Sequence, residues 1–315
     1  MQIYLKIWLL HNPIEKNEEV GGTVRFGRLL TVSYFLIIIL LTGCKPKTTY
    51  SPETVNPVTF DTLTVNETYY LLGDTTNPCC LLEAVFIYPS GYSDQKILYK
   101  LQCQFINDFF GDETASVTPQ EAMNNYVAKY LTDYKELEAD FISETESTGE
   151  KPSKESWYAY YEMSSNEIVY NQYNLLSYIT SVEYYTGGAH GGHGFNNHVI
   201  FIENGEALDE SDIFIKGFQD ELAQIMVDII AADNNVTERE ELEYLGFFNI
   251  NEIYPNNNFY VDNEGVTYTF NEYEIAAYSI GSVDVFIPYD TIRHLLLENS
   301  PVSPLVLRKN EPSDH

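Results

Sequence analysis

The chain has 315 residues, 44% hydrophobic and 20% charged, with 17 basic against 47 acidic groups and a formal net charge of −30. A surface of that sign repels phosphate backbones and anionic headgroups, so nucleic-acid binding and charge-driven membrane adsorption are excluded as roles. The length allows one large domain or two small ones with a proper core, and no repeat of fixed period points to a solenoid or propeller.

Arg25 and Arg28 precede an uncharged apolar run, Leu29 to Leu41, that ends in Thr42-Gly43-Cys44. A short basic segment, an apolar core and small residues at a cleavage point form the pattern of a signal peptide. As a helix the run would rise about 20 Å, short of the roughly 30 Å of a bilayer core. The tetrad Leu41-Thr42-Gly43-Cys44 resembles the bacterial lipobox, which implies cleavage before Cys44 and a diacylglycerol on its sulfur. Residues 1–43 are therefore read as a signal peptide with an over-extended start. Their loss removes four basic and three acidic groups and leaves the mature chain at −31. Attachment to the membrane then comes from the lipid on Cys44, and the acidic field favours encounter with basic proteins as well as solubility.

Residues 44–60 are rich in Lys, Thr, Pro and Ser and are expected to be a lipidated tether. Beyond it the chain reads as two linked α+β halves, 61–180 and 181–298, followed by a loose tail, 299–315. Strands are expected at Asn66–Leu72 and Leu81–Tyr88. The spacing of Ile97, Leu98, Leu101, Phe105, Ile106 and Phe109 predicts a helix over Gln95–Phe110, stopped by Gly111. Thr118-Pro119-Gln120-Glu121 is a capping box that opens a second helix, with Ala122, Tyr126, Tyr130, Tyr134 and Leu137 on one stripe. Further strands are expected at Trp157–Met163, Leu176–Tyr185, His198–Ile202, Val266–Phe270 and Val283–Ile287. A third helix is expected over Lys216–Ile230, and a short fourth one after Asp290. Asp262-Asn263-Glu264-Gly265 is a hairpin turn. Strands follow strands as often as helices, which indicates largely antiparallel sheets with helices packed on them.

Cys79, Cys80 and Cys103 offer two readings, a bridge from one of the adjacent pair to Cys103 or three buried thiols. The most unusual stretch holds five glycines and three histidines between Gly187 and His198. It is read as a loop between two strands. Tyr185, Gly187, Gly188, His190 and His193 are its candidate ligand-binding or structural residues, with His190 expected to hydrogen-bond backbone groups and the other histidines to face solvent. The histidine spacing matches no defined zinc class, so no metal ligand is assigned. Neither GxSxG, GxGxxG nor a phosphate-binding loop occurs, and no catalytic residue or cofactor is assigned. The acid run Glu238–Glu243 reads as a solvated helix face.

Tyr185-Thr186-Gly187-Gly188-Ala189-His190-Gly191, an apolar strand, Leu208-Asp209-Glu210-Ser211-Asp212-Ile213-Phe214, then Gly265 to Ala276, Gly281 and Phe286-Ile287-Pro288-Tyr289 resemble a known family. It is a pair of linked extracellular domains of unknown function, found in the ectodomain of the lysozyme-sensing anti-sigma factor RsiV and the N-terminal part of the peptidoglycan deacetylase PdaC. The resemblance covers about residues 65–298 and implies two α+β halves in the cell envelope. Neither signalling nor deacetylation is carried over. The expected function is a membrane-anchored, periplasmic or surface-exposed binding domain for a basic, lysozyme-like protein or a peptidoglycan fragment. The alternatives are a metal-dependent hydrolase using His190, His193 or His198, and a structural lipoprotein without a specific ligand.

Overall fold

The computed structural model describes residues 56–111 and 117–308. The expected signal peptide, Cys44 and most of the expected tether lie outside the described residues. No helix among the described residues is long and apolar enough to cross a membrane.

A six-stranded sheet takes its strands in chain order: β1 (Thr59–Tyr70), β2 (Cys79–Gly91), β3 (Tyr160–Gln172), β4 (Leu175–Thr186), β5 (Gly192–Phe201) and β6 (Glu206–Ala207). Every neighbour pair is antiparallel except β2 and β3, which run parallel from Cys80↔Tyr160. A parallel pair needs a crossover. Here it is made by α1 (Gln95–Phe110), α2 (Pro119–Lys135) and α3 (Glu138–Thr148). Asp94 caps α1 by accepting from the Lys96 and Ile97 amides, and Gly111 ends it. The expected Thr118–Glu121 capping box is present at the start of α2.

Along β4 the side chains alternate between two cores, as strand geometry requires. Leu176 and Tyr178 face the crossover helices, where they are buried with Phe86, Leu101, Phe105 and Ile106. Leu175, on the other face, joins Val199 in a second core. That core is completed by a three-stranded antiparallel sheet, β7 (Phe259–Val261), β8 (Gly265–Phe270) and β9 (Val283–Pro288), and by the amphipathic helix α5 (Gln219–Asp233). Short helices α4 (Glu210–Ile213), α6 (Glu241–Leu245) and α7 (Tyr289–Ile292) link these elements. Each large apolar side chain so buried stabilises the fold by roughly 1.5–3 kcal/mol. In the expected hairpin, Asp262 Oδ1 accepts from the amides of Glu264 and Gly265 at 2.7 and 3.0 Å and joins β7 to β8.

Several expectations are corrected. Asn56, expected to lie in a tether, is buried, accepts from the Asn174 amide at 2.9 Å and donates to the Leu175 carbonyl at 2.9 Å; β1 begins at Thr59, also within the expected tether. The division expected at 180/181 falls inside β4, which carries the sheet straight through it. The third helix starts three residues late, at Gln219, because Gly217 takes a left-handed φ of +87° just before the capping residue Phe218 and interrupts the helical path there. The expected loose tail contains α8 (Ser303–Arg308), held by buried Val302, Leu305 and Val306, which are spaced three and four residues apart with Pro304 in the first turn. Cys79, Cys80 and Cys103 are free thiols. Burial pushes the Cys80 thiol up to about 11, so it packs as a small apolar side chain.

Candidate functional site at the glycine hairpin

The stretch from Gly187 to His198 is mostly strand, not loop. From Gly192 onward it pairs with β4, Tyr184↔Gly192 through Tyr178↔His198. The Tyr184 side chain lies over this point, its hydroxyl 2.8 Å from where a Cβ on Gly192 would stand, so a larger residue there would displace that ring. The turn itself spans 187–191. Gly187 and Gly188 have φ of +83° and +107°, and a Cβ on Gly187 would stand 2.6 Å from the Trp157 carbonyl oxygen. The Tyr185 hydroxyl donates to the Gly188 carbonyl at 2.9 Å and locks the turn.

At the tip His190 bonds to backbone as expected: Nδ1 lies 2.7 Å from the Gly191 carbonyl, which can only accept, so Nδ1 carries the proton. Nε2 lies 3.4 Å from the Tyr273 hydroxyl. The His190 ring stacks on Tyr278 with centroids 4.0 Å apart, and Tyr278 stacks in turn on Tyr273 at 5.7 Å. Tyr278 also donates to the Gly191 carbonyl at 3.2 Å. The three rings form an outward-facing stack, and Tyr273 remains 56% exposed at a positive φ of 66°, a strained conformation for an aromatic residue.

Beside this stack, His193 lies between two carboxylates. Its Nδ1 is 2.8 Å from Glu272 Oε1 and its Nε2 is 3.9 Å from Glu183 Oε2. Tyr161 donates to Glu183 at 3.2 Å and stacks on Tyr185 at 6.1 Å. Burial and the Glu183 charge together hold the Tyr161 hydroxyl above the usual tyrosine range. His193 is thus partnered within the protein, where sequence reading expected it to face solvent. The loop 271–278, which supplies Glu272, Tyr273 and Tyr278, was not among the expected site residues. Its sequence has no helical or strand period, and its partner hairpin lies some 80 residues away in the chain.

His198 is directed elsewhere. It lies five positions beyond His193 on β5, so the two rings leave opposite faces of the strand. Its Nδ1 is 3.2 Å from Asp108 at the end of α1 and its Nε2 is 3.2 Å from the Thr180 hydroxyl. Asp108 also accepts from Tyr178 and from Gln104. This carboxylate–imidazole–hydroxyl chain has the connectivity of a nucleophilic relay. Thr180, however, is 6% exposed, and the adjoining cavity of about 80 Å³ has room for two or three waters. The chain therefore braces α1 against the sheet. The three histidines do not converge, and among the described residues no three His, Cys, Asp or Glu side chains gather as a metal site.

Residues 84–193 match the family named deacetylase PdaC, and residues 211–290 match the family described as protein of unknown function, DUF3298. The hairpin and its stacking loop therefore come from different family segments. A crystal structure of a DUF3298 member from Bacteroides fragilis is 32% identical, with a TM-score of 0.75, covering 81% of this chain and 99% of that one. A DUF3298 protein from Pseudomonas aeruginosa is 15% identical with a TM-score of 0.52, over 78% of this chain and 96% of that one, a likeness of fold alone. No curated protein sequence matches the chain.

Proposed function

This chain belongs to the DUF3298 family, and on that premise we propose that it is a lipid-anchored, non-enzymatic binding domain of the cell envelope whose ligand is a basic protein. The observation that carries this reading is the stack of His190, Tyr278 and Tyr273 standing outward beside Glu183 and Glu272. Rigid aromatic rings are the side chains that most often anchor a protein partner, because they cover large area at little rotamer cost. Carboxylates at their rim, on a chain of net charge −30, select a cationic surface and speed its approach. The resemblance to the ectodomain of a lysozyme-sensing protein supports the same class of ligand.

Two experiments test the reading. Binding of a lysozyme to the purified protein is measured by biolayer interferometry across a salt series. Affinity should fall with rising salt, and His190→Ala should weaken it by about tenfold, the loss of one ring anchor worth roughly 1.4 kcal/mol. Binding of equal strength by the variant would sink the assignment of this face. Anchoring is tested by feeding cells an alkyne fatty acid: label should enter the chain and disappear in Cys44→Ser. A labelled Cys44→Ser chain would place the lipid elsewhere.

A further inference from the structure

Next to the hairpin, the loops preceding β7 and following β8 close against the outer edge of β5 to leave an open cleft of about 700 Å³. Six asparagines line it: Asn196, Asn197, Asn256, Asn257, Asn258 and Asn271. Three of them build its wall. Asn258 accepts from the Asn197 amide at 2.7 Å and donates to the carbonyls of Phe195 and Thr269. Asn271 accepts from the Phe195 amide at 2.8 Å and donates back to the Phe195 carbonyl. Asn256 donates to Thr269 and Glu274 and accepts from the Asn258 amide. These amides are consumed in holding the shape.

Two others are available. Asn196 is exposed on β5 and its side chain has no hydrogen bond. Asn257, held at a φ of +58° by a reciprocal pair of bonds with Glu210, keeps its Nδ2 hydrogens unpaired. Each neutral amide both donates and accepts, which suits hydroxyl groups that do the same. The charged side chains at the cleft are carboxylates, Glu272 and Glu274, with no Lys or Arg among the lining residues. Tyr273 supplies an exposed aromatic ring at the same opening. No aliphatic side chain is among the lining residues.

We infer that this cleft is a saccharide subsite, taking a neutral or amino-bearing pyranose whose C–H face lies on Tyr273 and whose hydroxyls exchange hydrogen bonds with Asn196 and Asn257. The carboxylates set its sign: an amino sugar is admitted and a uronate is repelled. The subsite shares Tyr273 and Glu272 with the protein-binding face, whereas Asn196 and Asn257 belong to the cleft alone, so a change at Asn196 separates failure of one reading from failure of the other.

Isothermal titration calorimetry on the full-length protein, in a detergent without a sugar headgroup, tests it with cellotetraose, chitotetraose, glucosamine tetramer and galacturonate tetramer. At least one of the first three should bind with Kd below about 1 mM, and the galacturonate should not. The exposed Asn196→Ala should weaken that binding by about threefold or more while leaving lysozyme binding in place, and Tyr273→Asn, which suits the positive φ, should weaken sugar binding by at least as much. The inference is overturned if no neutral or amino sugar binds, if galacturonate binds equally, or if both variants bind as the parent does. It is also overturned if a Gly-Ser-Ala peptide competes for the cleft in place of the sugars.

Discussion

Glu272 holds His193 twice, its Oε2 accepting from the His193 amide at 3.3 Å and its Oε1 lying 2.8 Å from the ring Nδ1. Together with Asn271 on Phe195 and Asn258 on Asn197, it satisfies alternate amides along the outer edge of β5 with side-chain oxygens. An edge strand ordinarily presents those donors to any passing chain.

Glu272→Ala leaves two polar groups of His193 without this partner. It should lower stability by about 1–3 kcal/mol, read as a fall in the urea midpoint at unchanged slope. A midpoint equal to the parent's would show that water replaces the carboxylate at no cost.

Two neighbouring glycines separate backbone strain from collision. Gly187 and Gly188 both have positive φ, but a Cβ meets the Trp157 carbonyl at the first and open space at the second. Gly188→Ala should cost about 1 kcal/mol from strain alone, and Gly187→Ala at least twice that, because the Trp157 backbone must also move. Thermal midpoints of the two variants that coincide would refute the steric account.

Burial holds His198 below the ordinary histidine range, with the Asp108 charge opposing in part. A lowered folded value means that the native state favours the neutral ring. The stability this confers is present above the unfolded value near 6.5 and is lost as pH falls through the folded value. The facing groups are Asp108, Tyr178 and Thr180. The stability difference between parent and His198→Gln should therefore shrink from pH 8 toward pH 5, measured as paired urea midpoints. A difference constant with pH would mean that His198 does not titrate across folding.

Ending the chain before Val302 removes α8 with its three buried apolar side chains, Val302, Leu305 and Val306. At roughly 1.5–3 kcal/mol each, the loss should be on the order of 4 kcal/mol or more, visible as a much lower thermal midpoint. A fully stable truncated chain would return the segment to the status of a tail.

The legible parts of the fold are those whose signal is local. The span of α1 follows from its apolar periodicity and the Gly111 stop, and the opening of α2 from the Thr118 cap. α3 was invisible because Phe141 is its one buried residue, which leaves no stripe. The first part of β5, Gly192–Asn197, was read as loop because glycine lowers strand propensity, while the strand expected from His198 is its second part. At the site, His190 and its glycines were recognisable from composition alone. Tyr273, Tyr278 and Glu272 were not, because their meaning is a contact made across the fold. The run Asn256-Asn257-Asn258 was a usable signal, since amides in succession are poor formers of helix or strand and good turn and hydrogen-bonding residues.

The single parallel pairing sets an order of assembly. β3 to β6 pair with their chain neighbours across short connections, whereas β2 reaches β3 only once the whole crossover from Tyr92 to Ala159 has been closed. Closing a longer loop costs only about 0.6 kcal/mol more for each doubling of its length, yet that entropy is lost before any β2–β3 contact repays it. The hairpin strands can therefore form a template early, and the β1–β2 ribbon docks after α1 and α2 have collapsed onto Leu176 and Tyr178. Changes that loosen Leu101 or Phe105 would slow this docking, and the edge of β3 would stay open to other chains for longer during folding.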